Sequence, residues 1–193
     1  MKKGIFILLL AGVFAACSGN KKSEKDIIES DSVQVISTAN EESRGYIVQV
    51  GDTAPDFSMV LATTGDTVKL SQLRGKLVML QFTASWCGVC REEMPHIETE
   101  IWQKHKDNPN FALLGIDRDE PAETVLNFIK TTGVTYPIGL DPNADIFGLY
   151  ADKEAGITRN VIIDKDGKII MLTRLYDPQE FAQMTELINE MLK

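Results

Sequence analysis

Short apolar runs alternate along this chain with stretches whose apolar residues recur every three or four positions. Leu77-Val78-Met79-Leu80-Gln81-Phe82 and Phe111-Ala112-Leu113-Leu114-Gly115-Ile116-Asp117 are nearly continuous apolar runs. They predict strands buried on both faces of a sheet. Asn160-Val161-Ile162-Ile163-Asp164 predicts another, and Pro137-Ile138-Gly139-Leu140 a brief one. Val60 and Leu61, then Val68 and Leu70, flank the turn residues Thr64-Gly65-Asp66 and predict a hairpin. Leu70 to Gly75 reads as a short helical turn that Gly75 ends. Helices are expected from Cys87 to about Lys106, from Pro121 to Gly133, and near Ala144 to Tyr150. Lys165-Asp166-Gly167-Lys168 is a turn into Ile169 to Leu175. Asp177 and Pro178 cap and start a last helix, with Phe181, Met184, Leu187, Ile188 and Met191 on one side. Strands alternating with helices, closed by a hairpin and a helix, predict an α/β sandwich. No internal repeat is visible.

The N-terminus departs from this pattern. Lys2 and Lys3 precede a short apolar stretch, Ile5 to Phe14, and then the small residues Ala15 and Ala16 before Cys17. This is the layout of an export signal, and the stretch is too short to span a membrane comfortably. Phe14-Ala15-Ala16-Cys17-Ser18 resembles a bacterial lipobox, apart from Phe14 where leucine is usual. It implies cleavage before Cys17 and lipidation of that cysteine, so residues 1–16 are read as a signal peptide. Residues 17–45, rich in Ser, Lys, Glu, Asp and Asn, lack the apolar surface to order themselves. They are read as a lipid-anchored flexible tether with a reach on the order of 30 Å, with a short strand around Val33 to Ile36 as a lesser reading. The remaining 46–193 form the single domain.

Charge narrows the partners. The 193 residues carry a net −8, and removing residues 1–16 leaves 18 basic against 28 acidic side chains, or −10. No basic block interrupts this acidity, which excludes nucleic acid as an expected partner, since such binding rests on Lys and Arg neutralising phosphates.

The chemistry lies in Trp86-Cys87-Gly88-Val89-Cys90, where a predicted strand becomes a predicted helix. If Cys87 is the helix N-cap, Cys90 sits one turn on and faces the same side. The two sulfurs can then close a small disulfide with little backbone movement. Free N–H groups and the helix dipole favour a thiolate at Cys87, and a lowered thiol pKa is what makes a cysteine reactive. Cys87 would attack a partner disulfide and Cys90, the more buried thiol, would release the product. A purely structural disulfide here would close only a small loop and stabilise little. A zinc site needs more ligands, and His96 and His105 are spaced as solvated helix residues rather than as ligands. Haem attachment fails because Arg91, not histidine, follows Cys90. No metal and no cofactor is expected.

Trp86 to Cys90 with Pro95 five positions on resembles the active-site helix of the thioredoxin fold, in which that proline kinks the helix. Gly51-Asp52-Thr53-Ala54-Pro55-Asp56-Phe57, Leu73-Arg74-Gly75-Lys76 and Arg91-Glu92-Glu93-Met94-Pro95 are more specific. Together they resemble the membrane-tethered TlpA/ResA-like thiol–disulfide oxidoreductases, with their Redoxin-type domain, over roughly residues 46–193. The resemblance implies a thioredoxin-like three-layer α/β/α sandwich with an N-terminal hairpin extension. It also implies a monomer in the bacterial cell envelope, anchored by lipid and facing the periplasm. There it would reduce disulfides of exported proteins, apocytochrome c among them, and be recharged by a membrane-embedded electron donor. In this family a glutamate three positions after the second cysteine tunes the thiols, the place held here by Glu93.

Three positions depart from the family pattern. Gln81 stands six before Cys87, where thioredoxin has a buried aspartate, and Gly88-Val89 replaces the usual Gly-Pro interior. Alignment on Val161 to Asp164 puts Thr158, in Gly156-Ile157-Thr158-Arg159-Asn160, at the place of the family's cis-proline. A cis bond without proline costs about 3 kcal/mol, so a trans Ile157–Thr158 bond beside the cysteines is expected. Two rival readings exist. A peroxiredoxin shares the Gly51–Phe57 opening, but its Pro-x-x-x-Thr-x-x-Cys motif meets Leu80 and Ala84 here instead of proline and threonine. A copper-binding or partner-binding module could use the paired thiolates, but no Met or His cluster accompanies them, and Met79 and Met94 read as core or groove residues.

Overall fold

The structure is a computed structural model and describes residues 44–193. The segment read as a signal peptide, Cys17 and the Val33–Ile36 segment lie outside the described residues. Arg44 and Gly45, read as the end of the tether, are hydrogen-bonded to the domain. Arg44 pairs with Glu180 at 2.7 Å, and the Gly45 carbonyl accepts from the Asp152 amide at 3.0 Å.

Seven strands form one sheet: β1 (Ser58–Leu61), β2 (Thr67–Lys69), β3 (Leu77–Thr83), β4 (Phe111–Arg118), β5 (Ile138–Asp141), β6 (Arg159–Ile163) and β7 (Ile169–Arg174). Their order is β2-β1-β5-β4-β3-β6-β7. The two long apolar runs became β3 and β4, which pair in parallel at the centre. Every residue of β3 is buried, as expected of a strand covered on both faces. β6 runs antiparallel on its other side, with Gln81 opposite Asn160 and Phe82 opposite Arg159.

The period-two alternation of β3 divides the core in two. Val78, Leu80 and Phe82 face one cluster with Phe147 and Tyr150 of the short helix α4 (Phe147–Tyr150) and with the segment around Ala54 and Phe57. Leu77 and Met79 face a second cluster, built from α1 (Gly88–His96), α3 (Ala122–Thr132) and α5 (Pro178–Met191). The result is the three-layer α/β/α sandwich that the family resemblance implied. The hairpin β1–β2 joins the sheet through β1 pairing with β5.

The helix after the cysteines is continuous to His105 but not uniform. α1 gives way at Ile97–Trp102 to a π-helical segment, and α2 (Gln103–His105) completes it. Pro95 lies inside α1 and lacks the N–H for its helical bond, and the wider turn begins two residues later. Elsewhere boundaries shift for local reasons. The helix expected from Ala144 starts only at Phe147, because Ala144 adopts a left-handed φ of 53°. β7 ends at Arg174 because Leu175 has φ 65°. α5 turns Phe181, Met184 and Ile188 inward, whereas Met191, expected on the same side, is exposed. Gly115 in β4 admits the neighbouring strand closely: a β-carbon there would meet Ile138 Cγ1 at 2.8 Å and Tyr136 at 3.4 Å.

α4 is too short to hold itself together. Buried Asp141, at the end of β5, accepts from the Ile146 amide at 3.0 Å and the Phe147 amide at 2.8 Å. This carboxylate seats Phe147 edge-on against Phe82, with ring centroids 5.4 Å apart. Replacing Asp141 by Ala leaves two buried amides without an acceptor and is expected to cost about 2 kcal/mol. A lower urea midpoint at unchanged slope is the expected reading; an unchanged midpoint contradicts this role.

Candidate active site

β3 ends at Thr83, and the loop Ala84-Ser85-Trp86 carries the chain to the first helical turn. Cys87 is the N-cap of α1, with extended backbone angles, and its sulfur accepts from the Cys90 amide at 3.1 Å. The two cysteines are disulfide-bonded, with Cα atoms 5.3 Å apart. Cys90 is fully buried and Cys87 is 7% exposed, so Cys87 is the less buried of the two. Gly88 is exposed and Val89 half-buried beside the main core, so neither covers Cys87 as a large side chain would. Trp86 is 62% exposed next to the disulfide.

The start of β6 closes the other side. Buried Thr158 places its Oγ1 3.3 Å from Cys87 Sγ and 3.3 Å from Cys90 Sγ. There is no cis peptide bond among the described residues, so the Ile157–Thr158 bond is trans, as expected. Thr158 O accepts from the amide of Leu175, an exposed apolar residue. Arg159 is fully buried. Its Nε donates to Gly156 O at 3.0 Å, its Nη2 to Arg44 O at 2.5 Å, and its guanidinium lies 4.4 Å from the Tyr46 ring centre. The loop that delivers Thr158 is thus held by a buried cation rather than by a proline.

Beneath α1 lies a polar layer. Glu93, one turn beyond Cys90, is buried against the sheet, and its Oε1 accepts from Asn160 Nδ2 at 2.7 Å. Asn160 Nδ2 also donates to Thr173 Oγ1 at 2.9 Å. Burial raises the Glu93 carboxyl from its ordinary 4.5 to about 7, against the lowering effect of the Asn160 and Gln81 amides. The Gln81 amide faces this carboxyl without closing a hydrogen bond of standard geometry, and Glu93 Oε2 has no partner. Gln81 is itself fixed by the Tyr136 hydroxyl, which donates to its Oε1 at 2.7 Å. The buried aspartate that thioredoxin carries on the central strand is replaced on β3 by Gln81. The buried carboxyl comes from the helix, at the place the resemblance gives to a thiol-tuning glutamate.

A second acidic pair escaped the sequence reading. Glu120 accepts from the Ser85 amide at 2.5 Å and the Ser85 hydroxyl at 2.6 Å, while Arg91 Nε donates to Ser85 O at 2.8 Å. The residue two before Cys87 is thus clamped on three sides. Asp117, at the buried end of β4, is pushed up to about 8 by burial first and then by the Glu120 carboxylate. Neither Asp117 oxygen closes a hydrogen bond of standard geometry. The signal in the sequence was the acid Asp117 at the end of an otherwise apolar run. Pro95 is exposed on the outer side of α1. His96 stacks on Tyr176 with ring centroids 5.1 Å apart and bonds Glu100, and His105 bonds Asn189. Among the described residues, no three His, Cys, Asp or Glu side chains are grouped to hold a metal ion.

The Redoxin family matches residues 49–188. The chain is 33% identical over 123 residues to the thiol–disulfide oxidoreductase ResA of Bacillus cereus, covering 64% of this chain and 68% of that one. Against ResA of Bacillus subtilis the identity is 28%. Among solved structures, a candidate protein disulfide isomerase from Bacteroides thetaiotaomicron is 68% identical, with TM-score 0.75, over 77% of this chain and 92% of the other. A protein described as thiol:disulfide interchange protein DsbE from Chlorobium tepidum is 27% identical, with TM-score 0.64, over 76% and 99%.

The raised pKa of Glu93 has a measurable sign. Between pH 4.5 and pH 7 the folded protein holds a proton on Glu93 that the unfolded chain has released. The group's contribution is thus fully present below 4.5 and declines as pH rises to about 7. Wild type is expected to lose about 3 kcal/mol across this window relative to Glu93→Gln, whose amide does not titrate. Parallel urea unfolding of the two proteins along a pH series checks this, and identical pH slopes contradict it.

Proposed function

Since the chain belongs to the Redoxin family and is a thiol–disulfide oxidoreductase, we propose that Cys87 is its nucleophile and Cys90 its resolving thiol. The reading is carried by the Cys87–Cys90 pair at the start of α1, with Cys87 the N-cap and the less buried of the two. Cys87 receives the Cys90 amide and lies at the positive end of α1, both of which favour its thiolate. The Cys87 thiolate attacks a substrate disulfide; a Cys87–substrate bond forms, the substrate bond breaks, and one substrate sulfur leaves. Cys90 then gives up its proton and attacks the Cys87 sulfur. The internal disulfide forms and the second substrate sulfur leaves, so two electrons pass to the substrate. Glu93 follows Cys90 by one turn on α1, and a carboxyl titrating near 7 is suited to exchange a proton at neutral pH. It is the residue assigned to tune the thiols.

The substrates fitting this surface are polypeptides with accessible disulfides. Trp86, next to Cys87 in the chain, and Leu175, whose amide bonds Thr158 O, are both exposed and offer apolar contact to an extended segment. The direction proposed is reduction of exported proteins, apocytochrome c among them, with recharging by a membrane-embedded dithiol donor. Residues 1–16 would be the signal peptide, 17–45 the tether and 46–193 the working domain. Cys17 would carry the lipid and hold the monomer at the cell envelope, facing the periplasm. The lipobox-like Phe14–Ser18 sequence supports the anchor.

Cys90→Ser is expected to accumulate mixed disulfides on Cys87, separable on non-reducing gels, with the captured partners reporting the substrates. Cys87→Ser is expected to capture none; capture through Cys90 overturns the assignment. Cys17→Ser is expected to move the protein from the membrane to the soluble fraction, and membrane retention rules out the lipid anchor.

A further inference from the structure

The Thr158 hydroxyl touches both sulfurs and, among the described residues, has no other hydrogen-bond partner. Neither sulfur of a disulfide carries a proton, so at both 3.3 Å contacts the hydroxyl is the donor. We propose that Thr158 is a catalytic hydrogen-bond donor serving both cysteines in turn, holding the negative charge on Cys87 in the first exchange and on Cys90 in the second. This rests on the assignment of Cys87 as nucleophile and adds a role that the backbone amides do not cover. The Cys90 amide and the start of α1 favour a charge on Cys87 alone. Thr158 is the group that also reaches Cys90.

The charge moves during the cycle as follows. In the reduced protein Cys87 is the thiolate and Cys90 the thiol, and the hydroxyl proton points to Cys87. Once Cys87 is bound to the substrate, its sulfur is neutral and frees the donor. Cys90 then loses its proton, and the same hydroxyl, already within reach, turns its O–H toward the new thiolate. Attack of Cys90 on Cys87 restores the disulfide, expels the substrate thiolate and returns the hydroxyl to the bridging position. In recharging, a donor thiolate attacks the Cys87 sulfur and Cys90 leaves as the thiolate that Thr158 stabilises. Only an O–H rotation is needed at each step.

Such a donor is effective only if it stays in place. Thr158 is 2% exposed, so water competes little for its hydroxyl, and a hydrogen bond to a charged acceptor is stronger in such surroundings. Its carbonyl is bonded to the Leu175 amide at 3.1 Å. The preceding turn is held by Arg159 Nε on Gly156 O and by Arg118 Nη1 on Ala155 O at 3.3 Å. A proline at this position has no donor to offer.

The test compares wild type with Thr158→Val, which keeps the shape without the hydroxyl, and Thr158→Ser, which keeps the hydroxyl. Reduced proteins are alkylated with iodoacetamide across a pH series, and the modified cysteine is identified by mass spectrometry. In parallel, the dithiol/disulfide equilibrium of each is titrated against glutathione. Thr158→Val is expected to raise the alkylation midpoint of Cys87 by about one pH unit. It is also expected to shift the equilibrium toward the disulfide by up to about tenfold, or about 30 mV more reducing. Thr158→Ser is expected to stay near wild type in both. If the valine variant does not fold, Thr158→Ala carries the same expectation. Unchanged midpoint and equilibrium in the hydroxyl-free variant, with Cys87 still the residue alkylated, overturn the role of Thr158 and leave the nucleophile standing. Alkylation of Cys90 in place of Cys87 in wild type overturns the nucleophile assignment, and the charge transfer with it.

Discussion

The antiparallel pairing of β6 with β3 is the constraint on which the site depends. With Gln81 opposite Asn160 and Phe82 opposite Arg159, the pairing ends beside Thr83, the last residue of β3, and Thr158, the residue before β6. One strand runs on into the cysteine loop and the other arrives from the Gly156 turn. The same register sets Asn160 beneath α1, where its amide reaches Glu93. A slip of one residue would turn Asn160 out of this layer and carry Thr158 away from the sulfurs, because side chains alternate across a sheet.

Around that pairing the chain buries charged groups and settles each differently. Arg159 bonds two backbone carbonyls and lies on the face of Tyr46, with its Nη1 unbonded among the described residues, and it braces the turn before Thr158. Glu93 is left with one oxygen unmatched and responds by holding its proton toward neutral pH. Glu120 spends both oxygens on Ser85 and keeps the cysteine loop in position, while neighbouring Asp117 retains its proton. Burial makes an unpaired charge costly, and proton retention is the route open to a carboxyl but closed to arginine. The brace and the protonated acids therefore fall to different residue types.

This arrangement gives the redox pair a setting that follows the family pattern in one respect and departs from it in another. The buried acid comes from the active-site helix, at the place the resemblance assigned to a thiol-tuning glutamate, and not from the central strand, where Gln81 stands. The residue facing the sulfurs brings a hydroxyl on a trans peptide, and its turn is fixed by side-chain hydrogen bonds. Thiol–disulfide exchange needs a thiolate that is both available and reachable. The proposed nucleophile, Cys87, stands at the helix start with the Cys90 amide and the Thr158 hydroxyl beside its sulfur.

Much of this was legible from the residues in order. The runs at 77–82 and 111–117 were central strands, since only a strand covered on both faces can be apolar at successive positions. Cys87 and Cys90 were a redox pair at a helix start, because capping and helical spacing are local properties. Asp177 and Gly133 bounded their helices for the same reason. What the sequence could not supply was contact between segments distant along the chain. The burial of Glu93 waited on the sheet laid against it, and Glu120 carried no marker of its link to Ser85. The resemblance set Thr158 beside the cysteines, but nothing in the sequence announced that its hydroxyl would reach both sulfurs or that Arg159 would lock its turn. Local geometry is written in spacing and propensity, whereas burial, proton affinity and a shared hydrogen-bond donor arise only when strand register brings remote side chains together.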